Sequence, residues 1–115
     1  MGSPLKIRLQ ADLNEARKAR EKLRTLVIST TLSELRNREI ELGAEADDAE
    51  VMSVISRAVK RRKEAAEQMA AGGRPELAAK EGQEAEILSG YLPKGLSEEE
   101  VRALLAQQEG SAGAD

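Results

Sequence analysis

The side chains best suited to chemistry form a run of cations near the middle of the chain. From Arg57 to Lys63 the sequence reads RAVKRRK, five positive residues with no negative one. Guanidinium and ammonium groups bind phosphate oxygens through charge-assisted hydrogen bonds and release counterions from nucleic acids. Helical spacing turns Arg62 inward and predicts a phosphate-contact surface made of Arg57, Lys60, Arg61 and Lys63. The alternative is an ordinary solvated helix face, tied to glutamates on the same helix and the next.

No other group of residues predicts catalysis or metal binding. The chain has neither cysteine nor histidine, so thiolate ligands, imidazole ligands and the commonest general base are all missing. The acidic runs at residues 47–50 and 98–100 stand where helices are expected to begin, and the helix dipole favours acids there. The hydroxyls of residues 29–31 have no base to activate them. We therefore expect no catalytic residue, no metal site and no cofactor.

These side chains must be positioned by helices, because the aliphatic residues recur at spacings of three and four. The pattern predicts an all-α fold, a small helical bundle, with helices at 5–20, 21–42, 48–71, 75–92 and from 97 onward. Ser3 is the expected N-cap of the first helix, Gly43 the stop of the second, and Gly72 the left-handed residue after the third. The second helix, apolar around much of its circumference, is the expected centre of the bundle.

The third and fourth helices should form a long antiparallel hairpin, because only a short GGR turn joins them. Both carry a charge in phase with their apolar stripe. Folding the chain about its glycine turn brings Arg62 opposite Glu84, with Glu81 one turn away. We predict an interhelical ion pair there, which fixes the register of the hairpin more than it adds stability.

Tyr91, the one aromatic residue of the chain, stands at a predicted structural corner. It follows the apolar stripe of the fourth helix, so its ring should pack near Ile55 with the hydroxyl at the rim. Pro93 ends that helix. Ser97 then starts a fifth helix as its N-cap, and Glu100 at the third helical position completes a capping box.

Several stretches together resemble the YqeY-like family, a module shared with the tail domain of the B subunit of the tRNA-dependent amidotransferase. The most specific are the tripeptide Tyr91-Leu92-Pro93 and the LSEEE that starts at Leu96. The others are KLRTL from Lys22, EIELG from Glu39, VKRRKE from Val59, GRPELA from Gly73 with Lys80-Glu81, and EIL from Glu86. Members usually continue into a second helical module, so the resemblance is to the N-terminal helical part only.

The resemblance implies an all-helical fold and a link to tRNA, since the amidotransferase tail contacts the body of the tRNA and performs no amide chemistry. We therefore expect a non-catalytic tRNA-binding or amidotransferase-associated module at residues 1–108, with a flexible tail, linker or truncation point at 109–115. The alternative is a protein-interaction adaptor with no nucleic-acid role. A net charge of −3 disfavours indiscriminate binding to nucleic acids. With no apolar span and no recognisable leader, we expect no membrane contact and a cytosolic location.

Overall fold

The computed structural model describes residues 3–93 together with Glu100 and Ala103. Over these residues the chain forms four helices and no strand: α1 (Pro4–Lys18), α2 (Lys22–Leu42), α3 (Asp48–Ala71) and α4 (Pro75–Ser89). The predicted all-α class is confirmed. Glu100 and Ala103 are helical and exposed. Ser97, with the rest of the predicted fifth helix, and the predicted tail at 109–115 lie outside the described residues.

Side-chain caps fix where α1 and α3 begin. The Ser3 hydroxyl oxygen accepts a hydrogen bond from the Lys6 backbone N–H at 3.1 Å, and Asp47 accepts one from the Glu50 backbone N–H at 2.9 Å. Each satisfies a backbone donor that the first turn of a helix leaves without a partner. The Ser3 hydroxyl also donates to the Asp48 carboxylate, so the starts of α1 and α3 are held against each other.

Left-handed residues separate the helices. Arg20 (φ 59°) breaks the chain between α1 and α2, and Gly43 (φ 69°) ends α2 as expected. In the α3–α4 turn the left-handed residue is Gly73 (φ 75°), so the prediction for Gly72 is wrong. Gly72 has φ −85° because its N–H still bonds the Gln68 carbonyl at 2.9 Å and continues the helical path for one more residue.

The core is aliphatic and lies where α2 and the α3–α4 hairpin meet. Leu35, Ile55 and Leu88, from α2, α3 and α4, are completely or almost completely shielded from solvent, and Leu9 of α1 joins them. Helices α2 and α3 each pack on all three other helices, and α3 has more buried residues than α2, so the predicted central position of α2 is shared with α3. The apolar side chains of α2 are not all buried, however, because Leu26 is 55% exposed and faces outward near the α1–α2 break.

Candidate nucleic-acid interface

The basic side of α3, defined as Arg57, Lys60, Arg61 and Lys63, faces solvent. All four residues are exposed, whereas Val59 between them is buried. At about 100° per residue the four cations span about 160° of the helix circumference. Glu64 lies within that arc and reduces its positive potential. The structure therefore places the four predicted cations on one broad surface with an acid inside it.

Two of these cations meet α2 at a shallow groove of about 250 Å³, here called the arginine groove. Arg57 and Arg61, one turn apart on α3, line it together with Arg38 of α2. Glu34 and Glu41 line it as well, and Arg61 forms an ion pair with Glu34. Glu50 pairs with Arg38 from behind the groove, so three carboxylates balance its three guanidinium groups, and Arg57 is the one of these arginines with no ion pair in the described part of the chain.

Arg38 is held in place by two carboxylates. Its Nε lies 3.1 Å from Glu50 Oε2 and its Nη1 lies 3.2 Å from Glu41 Oε2. The hydrogen bond to Glu50, with the negative charge behind it, raises the pKa of the Arg38 guanidinium. Arg36, two residues before Arg38 on α2, lies elsewhere, in a groove between α1 and α2 that Lys6 also lines. Lys60 and Lys63 lie further around α3, outside the arginine groove.

Arg62 points into the α3–α4 hairpin, where the sequence places it. Its Nε lies 3.3 Å from Glu84 Oε1, and the two side chains are only 12% and 11% exposed. Arg62 Nη1 also donates to the Ala58 carbonyl at 3.1 Å. Glu81 is half-buried one turn away and forms no ion pair with any residue of the described part of the chain. The pair therefore joins Arg62 to Glu84 alone.

Tyr91 is more deeply integrated than a rim residue. It is 7% exposed, and its hydroxyl donates to the Asp12 carboxylate of α1. The Arg8 guanidinium lies 4.6 Å from the ring centroid, and Arg24 of α2 lies 3.6 Å from Asp12. Burial, followed by the bond to Asp12, raises the pKa of the Tyr91 hydroxyl. The hydroxyl expected at the rim is instead bonded within a polar cluster that joins α1 and α2 to the residues after α4.

Helical periodicity predicts neither this cluster nor a second one around Glu39. The Glu39 carboxylate accepts from the Ala46 backbone N–H at 2.9 Å and from Lys6 Nζ at 2.9 and 3.0 Å. The bond from the Ala46 N–H, more than the one from Lys6, lowers the pKa of Glu39. Asp12 and Glu39 both lie on helices, where an acid normally indicates the solvent side. Their side-chain partners Tyr91 and Lys6 lie 79 and 33 residues away and become visible only after folding.

The remaining predicted residues of the corner are placed in part. Pro93 is exposed and follows a turn in which the Leu92 N–H bonds the Ser89 carbonyl at 3.1 Å, so α4 ends four residues before the proline.

Among the described residues, no group of three or more carboxylates is arranged to hold a metal ion. Within the same residues, no helix has the length and apolar character needed to cross a membrane.

A family model for Yqey-like proteins matches residues 6–115. The chain belongs to the Yqey-like protein family. The resemblance that the scattered motifs suggest is therefore confirmed over essentially the whole chain.

This Yqey-like chain is also similar to curated fungal proteins named "Altered inheritance of mitochondria protein 41, mitochondrial". The protein from Saccharomyces cerevisiae (strain YJM789) is 32% identical over 85 residues, which are 73% of this chain and 46% of the yeast protein. The protein from Lachancea thermotolerans is also 32% identical over 85 residues, again 73% of this chain and 46% of the relative. The Yqey-like chain thus spans about half the length of these relatives. Their names place them in mitochondria, so the expected cytosolic location, drawn only from the lack of a recognisable leader, is wrong.

Proposed function

We propose that this chain is a non-catalytic tRNA-binding module that uses the basic side of α3. The observation that supports the proposal is the exposure of all four cations of this side, two of which meet Arg38 in the arginine groove. Phosphate oxygens are the natural partners of such a surface, because a guanidinium group offers paired donors to them.

The mode of recognition follows from the side chains that are present. Sequence-specific readers of single-stranded RNA stack bases on aromatic rings, and the one aromatic residue here is Tyr91, which is buried and bonded to Asp12. The basic side of α3 would therefore contact the backbone of a folded RNA and read its shape. Helix α3 has 24 residues and is about 36 Å long, a rigid rod suited to this contact.

The acids around the arginine groove set the expected strength. Glu34 already pairs with Arg61, so an incoming phosphate must compete with a carboxylate. Together with the net charge of −3, this predicts modest affinity that falls steeply with salt. The association with an amidotransferase is supported by the family resemblance alone. The names of the fungal relatives point to a mitochondrial setting for such a role.

The test is fluorescence anisotropy with labelled tRNA at low salt, comparing the wild type with Arg57→Gln/Arg61→Gln/Lys63→Gln. These changes remove three exposed charges and leave Arg62 and the core intact. We expect the triple variant to bind at least about tenfold more weakly. The control is Lys80→Gln, an exposed cation of α4 whose loss should change affinity by less than about twofold. Absence of wild-type binding, or equal binding by the triple variant, would refute the proposal.

A further inference from the structure

A second basic surface lies at the opposite end of α2, where the chain turns from α1. We call it the corner groove, and it is an open groove of about 500 Å³ lined by Arg17, Arg20, Lys22, Thr25, Leu26 and Ser29. It shares no residue with the basic side of α3. Its lining contains three cations and no acid, in contrast to the arginine groove with its two glutamates.

The three cations of the corner groove are not neutralised by the fold. Arg17, Arg20 and Lys22 are exposed, and none forms an ion pair with any residue of the described part of the chain. The nearby Arg24 behaves differently, since it lies 3.6 Å from Asp12 and 4.0 Å from Glu21. The nearby acids therefore pair with Arg24, and the positive charge of the three groove cations is left uncompensated by ion pairs.

The backbone at Arg20 carries a further indication. Arg20 is the one non-glycine residue with positive φ in the described part of the chain. An L side chain adopts this left-handed conformation at an energetic cost, which a glycine would avoid. The position is that of a Schellman helix end, because the Glu21 N–H bonds the Ala16 carbonyl at 3.0 Å and the Arg20 N–H bonds the Arg17 carbonyl at 3.2 Å. An arginine at this position adds a guanidinium group to the groove, which a glycine would not.

Leu26 identifies the kind of partner. It is 55% exposed and lines the groove beside the cations. A leucine side chain neither bonds a phosphate nor stacks well on a base, so it adds nothing to a contact with RNA. It does fit a helix that presents an apolar stripe flanked by acids, because such helices bind by apolar anchors in a groove with charges at the rim.

We infer that the corner groove docks an acidic amphipathic helix of a partner protein. An aliphatic residue of that helix packs on Leu26, while its carboxylates contact Arg17, Arg20 and Lys22. The contact is independent of the tRNA proposal, because the two surfaces lie on different helices and can be changed separately.

The experiment uses the full chain and a fluorescent 14-residue peptide of Glu and Leu, with leucines at spacings of three and four. A scrambled peptide of the same composition is the second probe. We expect the amphipathic peptide to bind at least about fivefold more tightly than the scrambled one. Leu26→Ser should weaken that binding at least about fivefold, whereas Ile40→Ser, a matched loss from an isoleucine that is 72% exposed on the same helix, should change it less than about twofold.

Arg20→Gly separates binding from folding. Glycine accepts the positive φ, so the melting temperature should equal or exceed that of the wild type, while peptide binding weakens about threefold or more through the lost charge. Three results would each overturn the inference. The first is equal binding of the scrambled peptide, and the second is an unchanged peptide affinity in Leu26→Ser. The third is displacement of the bound peptide by tRNA when the wild type and Leu26→Ser bind tRNA with the same affinity.

Discussion

The Arg62–Glu84 ion pair offers the sharpest test of how the hairpin is held together. Replacing Arg62 by Met leaves the Glu84 carboxylate in a site where the side chain is only 11% exposed, without its cation. It also removes the donor to the Ala58 carbonyl. Breaking one side of a fully buried pair costs about 3–5 kcal/mol. The residual exposure lets Glu84 regain some water, so we expect a loss of about 2–4 kcal/mol.

Such a loss is a large part of the stability of a domain of this size, about 5–15 kcal/mol. It corresponds to a fall of about 10–20 °C in melting temperature. Glu84→Leu should cost a similar amount, because it strands Arg62. The double variant Arg62→Met/Glu84→Leu should lie within about 1 kcal/mol of the wild type, since an apolar pair can replace a buried ionic one.

Urea denaturation measures all four members of this cycle. Helical circular dichroism reports the whole chain, and the fluorescence of Tyr91, its one aromatic residue, reports the corner separately. The reasoning fails if either single variant loses less than about 0.5 kcal/mol, or if the double variant loses the sum of the two single losses.

Three further predictions concern other parts of the fold. Asp12→Ala should lower the pKa of Tyr91 toward its ordinary value, because the negative acceptor of the hydroxyl is gone; the tyrosinate absorbance titration shows this directly, and an unchanged curve would contradict the polar cluster. Glu39→Gln should cost about 1–2 kcal/mol at neutral pH. The folded-state pKa of Glu39 is lowered, so its contribution is present above the unfolded pKa and disappears as pH falls through the folded one. The wild type and the variant should therefore converge in urea melts once the pH is below the folded-state pKa of Glu39. Gly73→Ala (φ 75°) should lose about 1 kcal/mol, whereas Gly82→Ala, with open space around its new Cβ inside α4, should gain about 0.5–1 kcal/mol; thermal melts that shift both in the same direction would refute this assignment.

The elements that sequence predicts well are those that depend on local chemistry. The bounds of α3 match the predicted 48–71, because Asp47 caps its start and a glycine pair ends it. The ion pair was predictable because a short turn fixes the register of two helices, so that a charge on each apolar stripe finds its opposite. The inward and outward directions of Arg62 and its neighbours follow from the same periodicity.

The parts that sequence misses depend on contacts between distant segments. Asp12 and Tyr91 are separated by 79 residues, and nothing in either helix pattern pairs them. Leu26 occupies an apolar phase of α2 yet remains exposed near the α1–α2 break at Arg20. The direction in which a helix pair opens at such a break is set by tertiary packing, so the corner groove could not be predicted from periodicity.

The central claim, that the basic side of α3 binds the phosphates of tRNA, is tested most directly by the salt dependence of binding. Anisotropy titrations between about 50 and 200 mM salt give the slope of log affinity against log salt concentration. We predict that Arg57→Gln/Arg61→Gln/Lys63→Gln makes this slope shallower by about 2–3, one unit for each lost phosphate contact. An identical slope in the wild type and the triple variant would contradict the claim, because the tRNA would then be held by other cations.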